Sequence, residues 1–256
     1  MKVQVLQENL SKALSVCSRF SSSRVQLPVL ANVLIKSKKN KLIVSATNLE
    51  MSISIAIGAK VEKDGVITVP SRVINDLISN IGSQTINLES EKEILKISTS
   101  GFESSVSGMN ASDYPEVPED VGLGEIKLNS DSFLEALSLC LFAVSSDETR
   151  PILTGLLMIL KETELILVAT DGFRLSQKKI KIPKVKEEKR FILPKNILSE
   201  ITRVSSGEEI ELSFKKAEKQ VKFAEEKIKL AEYITQNSTD VKIQEKARQM
   251  LEKANV

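Results

Sequence analysis

The 256-residue chain has 41% hydrophobic and 27% charged residues, with 36 Lys and Arg against 34 Asp and Glu for a net charge of +2. That balance suits a globular protein of about two domains with a sizeable core, and it excludes disorder and collagen-like repeats. The sequence contains no histidine, which rules out Ser/His/Asp and Cys/His nucleophile systems and His-based zinc sites, and its two cysteines, Cys17 and Cys140, are too far apart for a CxxC site.

In chain order, Leu10, Ala13, Leu14 and Cys17 recur at the spacing of one apolar stripe on an amphipathic helix. A strand-like run from Leu30 to Ile35 follows. Between residues 41 and 57, Leu42 and Val44, then Met51, Ile53, Ile55 and Ile57, alternate at period two, as in antiparallel sheet. Pro70 introduces a second helix with Val73, Ile74, Leu77 and Ile78 on one face and Gly82 as its stop. Strands return at residues 86–88 and 94–97. Residues 107–124, with Pro115, Pro118 and Gly122, read as a connector.

Beyond the connector the pattern starts again. A shift of 123 residues lays Ala13-Leu14-Ser15-Val16-Cys17 on Ala136-Leu137-Ser138-Leu139-Cys140, four identities in five. The same shift pairs Pro28 with Pro151, Leu34 with Leu157 and Ala46-Thr47 with Ala169-Thr170. One residue later in register, Val69-Pro70 meets Leu193-Pro194 and Ile86-Asn87-Leu88 meets Ile210-Glu211-Leu212. The expected architecture is therefore α+β: tandem duplicated domains at 1–118 and 119–234, each an antiparallel sheet with two helices on one face. Residues 215–234 fit either a hairpin or a helical stripe, and the hairpin is favoured because it completes the repeat. Ile243, Ala247, Met250, Leu251 and Ala254 predict an amphipathic helix in a tail at 235–256. From residue 215 onward the chain has ten Lys and Arg against seven Asp and Glu, so the tail is mildly basic and the body nearly balanced.

No GxxxxGK[ST] or GxGxxG occurs, and no cofactor, metal or catalytic residue is expected. The N-terminus lacks a signal-peptide run and no window approaches the roughly 18 apolar residues of a span, so a cytoplasmic protein without a membrane partner is expected. An enzyme in which Asp147, Glu148 and Asp171 bind magnesium is the least favoured class.

The run Leu165-Ile166-Leu167-Val168-Ala169-Thr170-Asp171-Gly172-Phe173-Arg174-Leu175 resembles the strand-and-turn signature of the bacterial DNA polymerase III β subunit, the sliding-clamp family. Leu27-Pro28-Val29-Leu30, Ala46-Thr47-Asn48-Leu49-Glu50-Met51 and Ser112-Asp113-Tyr114-Pro115 strengthen the resemblance, which covers about residues 1–234. It implies the DNA-clamp fold, with helices lining a central hole, and a processivity factor that tethers DNA polymerase and clamp-loader subunits to duplex DNA without catalysis. A weakly charged body suits sliding, because phosphate contacts are salt-dependent and blind to sequence.

Candidate DNA contacts are Arg24 in the loop after the first helix, Arg150 in the corresponding loop of the second copy, Lys195 at the start of a helix and, more weakly, Arg72. The resemblance also implies a groove for short apolar peptides, walled by Leu153, Thr170, Gly172, Phe173, Arg174 and Leu175, with Arg174 holding a carboxylate or carbonyl of the peptide. The family's third domain has no counterpart here. Self-association of two-domain chains into a six-domain ring is one expectation. A monomeric module that captures partner peptides without encircling DNA is the alternative.

Overall fold

The computed structural model describes residues 1–21, 27–49, 51–117, 126–205, 207–215, 220–224 and 228–233. Two compact units divide the chain, Met1–Asp120 with Lys227–Ala231, and Val121–Glu226 with Glu232–Val256. Residues 227–231, which the repeat gives to the second copy, are counted with the first unit.

The first unit begins with β1 (Lys2–Leu6) and α1 (Gln7–Cys17), then β2 (Asn32–Lys38), β3 (Lys41–Thr47), β4 (Met51–Gly58), β5 (Lys60–Lys63), β6 (Gly65–Pro70) and α2 (Ser71–Ser79). It continues through β7 (Thr85–Glu91), β8 (Ile94–Ser98) and β9 (Glu103–Ser107). These strands make two antiparallel arrays, ordered β5-β1-β7-β8-β9 and β4-β3-β2-β6. Helix α1 buries Leu10, Ala13, Leu14 and Cys17, the predicted stripe. Its partner α2 buries Ser71, Ile74 and Ile78, while Val73, expected on that face, is 51% exposed. The three buried positions recur at i, i+3 and i+7, so a residue beside them is turned to the flank. Gln7 donates from Nε2 to the Ile78 carbonyl at 2.8 Å and locks the two helices together.

The second unit repeats this plan with β10 (Ile126–Asn129), α3 (Ser130–Leu141), β11 (Gly155–Lys161), β12 (Glu164–Thr170), β13 (Leu175–Lys181), β14 (Lys189–Pro194) and α4 (Lys195–Val204). Strands β15 (Glu209–Lys215), β16 (Gln220–Ala224) and β17 (Ile228–Tyr233) close the described chain. One array is ordered β13-β12-β11-β14, and β10 and β16 flank β15 in antiparallel pairing. The described residues of 215–234 are thus strands, as the hairpin reading with Val221, Phe223, Ile228 and Leu230 requires: β16 pairs antiparallel with β15, and β17 follows it. The predicted helix at 235–256 lies outside the described residues. Strand β5 has no counterpart among the described residues of the second unit.

Hydrogen bonds repeat with the sequence. The Gln7 amide donates to the Gln84 carbonyl and the Ser130 amide to the Glu208 carbonyl, each at 2.9 Å. The Cys17 thiol donates to the Val44 carbonyl at 3.4 Å, and the Cys140 thiol to the Leu167 carbonyl at 3.8 Å, both 27 residues further along. Both thiols are buried, and desolvation raises the pKa of each. The two cysteines are core groups, as their helical spacing predicts.

The connector is less irregular than its sequence suggests. Its N-terminal part packs onto the first unit, where Tyr114 and Val117 are buried against Val29 and Leu30, with Leu34 beside them. Leu30 and Ala31, expected to begin a strand, instead end the 3-10 turn Pro28–Ala31, whose proline sits at its start.

Candidate partner-binding groove

Strand β11 is buried on both faces. Leu156, Met158 and Leu160 are completely covered, and Leu157 and Ile159, on the opposite face, cluster with Val168 of β12. Ile166 and Ile192 flank that cluster. At the end of this apolar face the chain leaves a cavity of about 450 Å³, the size of a small-ligand pocket. Leu157, Val168 and Ile192 floor it, the turn Arg150–Leu153 forms one wall, and Thr170, Gly172 and Leu175 form the other.

Local chemistry builds both walls. Pro151 opens the 3-10 turn Pro151–Thr154, and Thr154 closes it by donating from Oγ1 to the Pro151 carbonyl at 2.8 Å. Between β12 and β13, Asp171 accepts from the amides of Phe173 and Arg174 at 3.0 Å each, and Thr170 Oγ1 accepts from the Gly172 amide at 3.1 Å. Gly172 has φ +96°, a conformation that a side chain disfavours. The Arg174 and Phe173 amides, and then the Arg174 guanidinium, hold the Asp171 carboxyl below its ordinary pKa. Asp147 is held low in the same way, first by the Thr149 hydroxyl and next by Arg150. Asp147 and Asp171 are thus turn caps paired to Arg150 and Arg174 at 2.8 and 2.9 Å. No group of three or more His, Cys, Asp or Glu suited to a metal occurs among the described residues.

Of the six predicted groove residues, the structure brings Leu153, Thr170, Gly172 and Leu175 together. Phe173 and Arg174 do not line the cavity. Phe173 stands 95% exposed at the apex of the turn, because the Asp171 carboxylate ties back its amide. Arg174 is drawn aside by Asp171 and by the Phe142 ring, whose centroid lies 5.3 Å from its guanidinium carbon.

Among the predicted DNA contacts, Arg150 lies in a loop after a helix, as expected, and lines the groove. Its register is corrected. The Leu153 amide donates to the Arg150 carbonyl as the Leu30 amide donates to that of Leu27, so the counterpart of Arg150 is Leu27 and not Arg24. Arg72 and Lys195 are exposed in the first turns of α2 and α4, and Arg24 lies outside the described residues.

Sequence reading missed Ile152, Leu157, Val168 and Ile192. Only the two-faced apolar run Leu156-Leu157-Met158-Ile159-Leu160 signals them, since a half-solvated strand would alternate. No helix among the described residues is long and apolar enough to cross a membrane.

Residues 1–118 match the family model described as DNA polymerase III beta subunit, N-terminal domain, and residues 127–239 match the one described as its central domain. The beta sliding clamp of Staphylococcus aureus is 30% identical over 211 residues, which span 79% of this chain and 56% of that protein. The beta sliding clamp of Staphylococcus epidermidis is 31% identical over the same shares. Among solved structures, the DNA polymerase sliding clamp of Bacillus subtilis superposes with a TM-score of 0.87 at 22% identity, over 94% of this chain and 66% of that one. The beta chain of DNA polymerase III from Streptococcus pneumoniae gives 0.85 at 24% identity, over 94% and 66%. The chain spans a little over half the length of the curated relatives it matches.

Proposed function

The chain belongs to the DNA polymerase III beta-subunit family, and from that premise we propose that it is a processivity factor, a sliding-clamp homologue that meets duplex DNA and tethers replication proteins without catalysing a reaction. The observation that carries this reading is the apolar groove of the second unit, where Leu153, Thr170, Gly172 and Leu175 meet as the family resemblance implies. Such a concave, mostly apolar site suits the anchor residues of a short peptide, and Arg150 at its rim gives one cation for a peptide carboxylate or carbonyl. Arg72 and Lys195, exposed at equivalent helix starts, are the DNA contacts this reading favours. Their part is to position the backbone, so each would weaken binding modestly and independently of DNA sequence.

Light scattering across a concentration series, followed by retention on circular against linearised duplex DNA, tests the proposal. A closed assembly held by circles and released on linearisation supports it. A persistent monomer that binds neither overturns the ring. Because the chain spans only part of its relatives, that second result favours the monomeric module that captures polymerase or clamp-loader peptides.

A further inference from the structure

The duplication gives the groove an internal reference. In the first unit, Val29, Leu30 and Leu34 take the places of Ile152, Leu153 and Leu157, and they are covered by Tyr114 and Val117 of the chain's own connector. Leu30 is completely buried, whereas its counterpart Leu153 is half-buried on the wall of an open cavity. The Tyr114 hydroxyl accepts from the Thr47 amide and donates to the Asn32 carbonyl, both at 3.2 Å.

Strand register explains why a hydroxyl fits there and transfers the site to the second unit. The β2–β3 ladder starts with Leu34 opposite Ser45, so Asn32 and Thr47 lie two residues beyond it, and the phenol bridges them. Across β2, Asn32 pairs with Pro70. In the second unit the β11–β12 ladder starts with Leu157 opposite Val168, leaving Gly155 and Thr170 at the same step, and Gly155 faces Pro194. The groove therefore offers an amide and a carbonyl in the arrangement that Tyr114 satisfies in the first unit.

The walls differ in one informative way. In the first unit Thr68 takes part in holding the connector backbone, donating to the Met109 carbonyl at 2.8 Å, and Asn32 donates to Thr68 at 3.3 Å. Ile192 and Gly155 occupy those two positions in the second unit, so these backbone-holding contacts are absent and recognition concentrates on the ring and the apolar residue after it.

Resting on the reading of this cavity as a peptide site, we propose that it is built for a partner segment with a tyrosine anchor and an apolar residue three positions on, the chemistry of Tyr114-Pro115-Glu116-Val117. The phenol would accept from Thr170 N–H and donate to the Gly155 carbonyl while its ring lies on Leu153, Leu157 and Ile192.

The test uses the full chain and fluorescein-labelled peptides with the sequence of residues 110–118, read by anisotropy. Replacing tyrosine by phenylalanine in the peptide (Tyr114→Phe) is expected to weaken binding about 5- to 20-fold, the effect of a hydrogen-bonding hydroxyl. Replacement by alanine is expected to abolish it. Leu175→Glu in the chain, at an exposed rim position, is expected to abolish binding of every peptide without changing the melting temperature. Equal binding of the tyrosine and phenylalanine peptides, both lost in Leu175→Glu, overturns the hydroxyl bridge and leaves the peptide groove standing. Absence of binding by either peptide also overturns this inference. Binding that survives Leu175→Glu in a folded protein lies elsewhere and overturns the groove reading as well.

Discussion

The same turn is built twice, after β3 and after β12, with matching hydrogen bonds from a shared threonine and different residues after it. Thr47 Oγ1 donates to the Met51 carbonyl at 2.9 Å, and Thr170 Oγ1 to that of Arg174 at 2.7 Å. Leu49 and Gly172 stand at matching positions with φ +74° and +96°, and Asn48 and Asp171 cap the amides of Met51 and Arg174. Beside the first turn, Tyr114 fills the neighbouring groove; beside the second, the groove is open. One backbone scaffold therefore serves as packed core in one copy and as exposed surface in the other. The difference lies in what covers it.

Removing that cover should have the largest effect. Tyr114→Ala would leave a cavity over Leu30 and take the bridging hydroxyl from the Thr47 amide and Asn32 carbonyl, destabilising the first unit by about 4 kcal/mol. Urea denaturation followed by a probe in each unit should show the first unit unfolding earlier, while the second-unit groove, already open, is unaffected. Gly108→Ala comes next, at about 3 kcal/mol, because a Cβ there would collide with the Thr68 carbonyl that the connector crosses. If the melting temperature is unchanged, the connector is not held tightly across β6.

Exchanging the turn residues should give smaller, opposite effects. Gly172→Ala should cost about 1–2 kcal/mol because of its positive φ, whereas Leu49→Gly should stabilise by about 0.5 kcal/mol as the left-handed penalty is relieved. Equal signs in thermal melts would mean that the turns are not equivalent. The smallest effect is on acid titration. The Asp171 pKa is depressed in the folded state, so its contribution is complete above the unfolded value near 3.8 and disappears as pH falls through the lower folded value. Asn48 does not titrate. Backbone NMR between pH 7 and 3 should therefore show the Arg174 amide shifting with acid while the Met51 amide stays put.

Much of the fold was legible because the duplication allowed each weak pattern to be read twice. Leu10, Ala13, Leu14 and Cys17 on one helix, and Phe133, Ala136, Leu137 and Cys140 on the other, all face the core. Strand β5 was not legible, since Lys60, Glu62 and Lys63 hide any alternation and the strand is held by pairing with β1. That each unit has more than one antiparallel array was equally hidden, because periodicity reports which face is buried but not which strand lies alongside. Of the predicted residues that line the cavity, Thr170, Gly172 and Leu175 came through the turn motif and Leu153 through the family resemblance. Phe173 and Arg174 were not legible, since their directions depend on the Asp171 carboxylate and the Phe142 ring rather than on position in the motif. Tyr114 belonged to a segment without periodicity, where a single anchored side chain leaves no repeating signal.

Each unit holds one buried thiol, hydrogen-bonded to a strand carbonyl at the same step of the repeat. A thiol so placed reacts with an alkylating reagent only when its surroundings open, so Cys17 and Cys140 act as two built-in clocks for local opening. Mass-resolved labelling of the unmodified protein would time the two units separately in one sample. A partner that settles into the second unit would slow the Cys140 clock and leave that of Cys17 running.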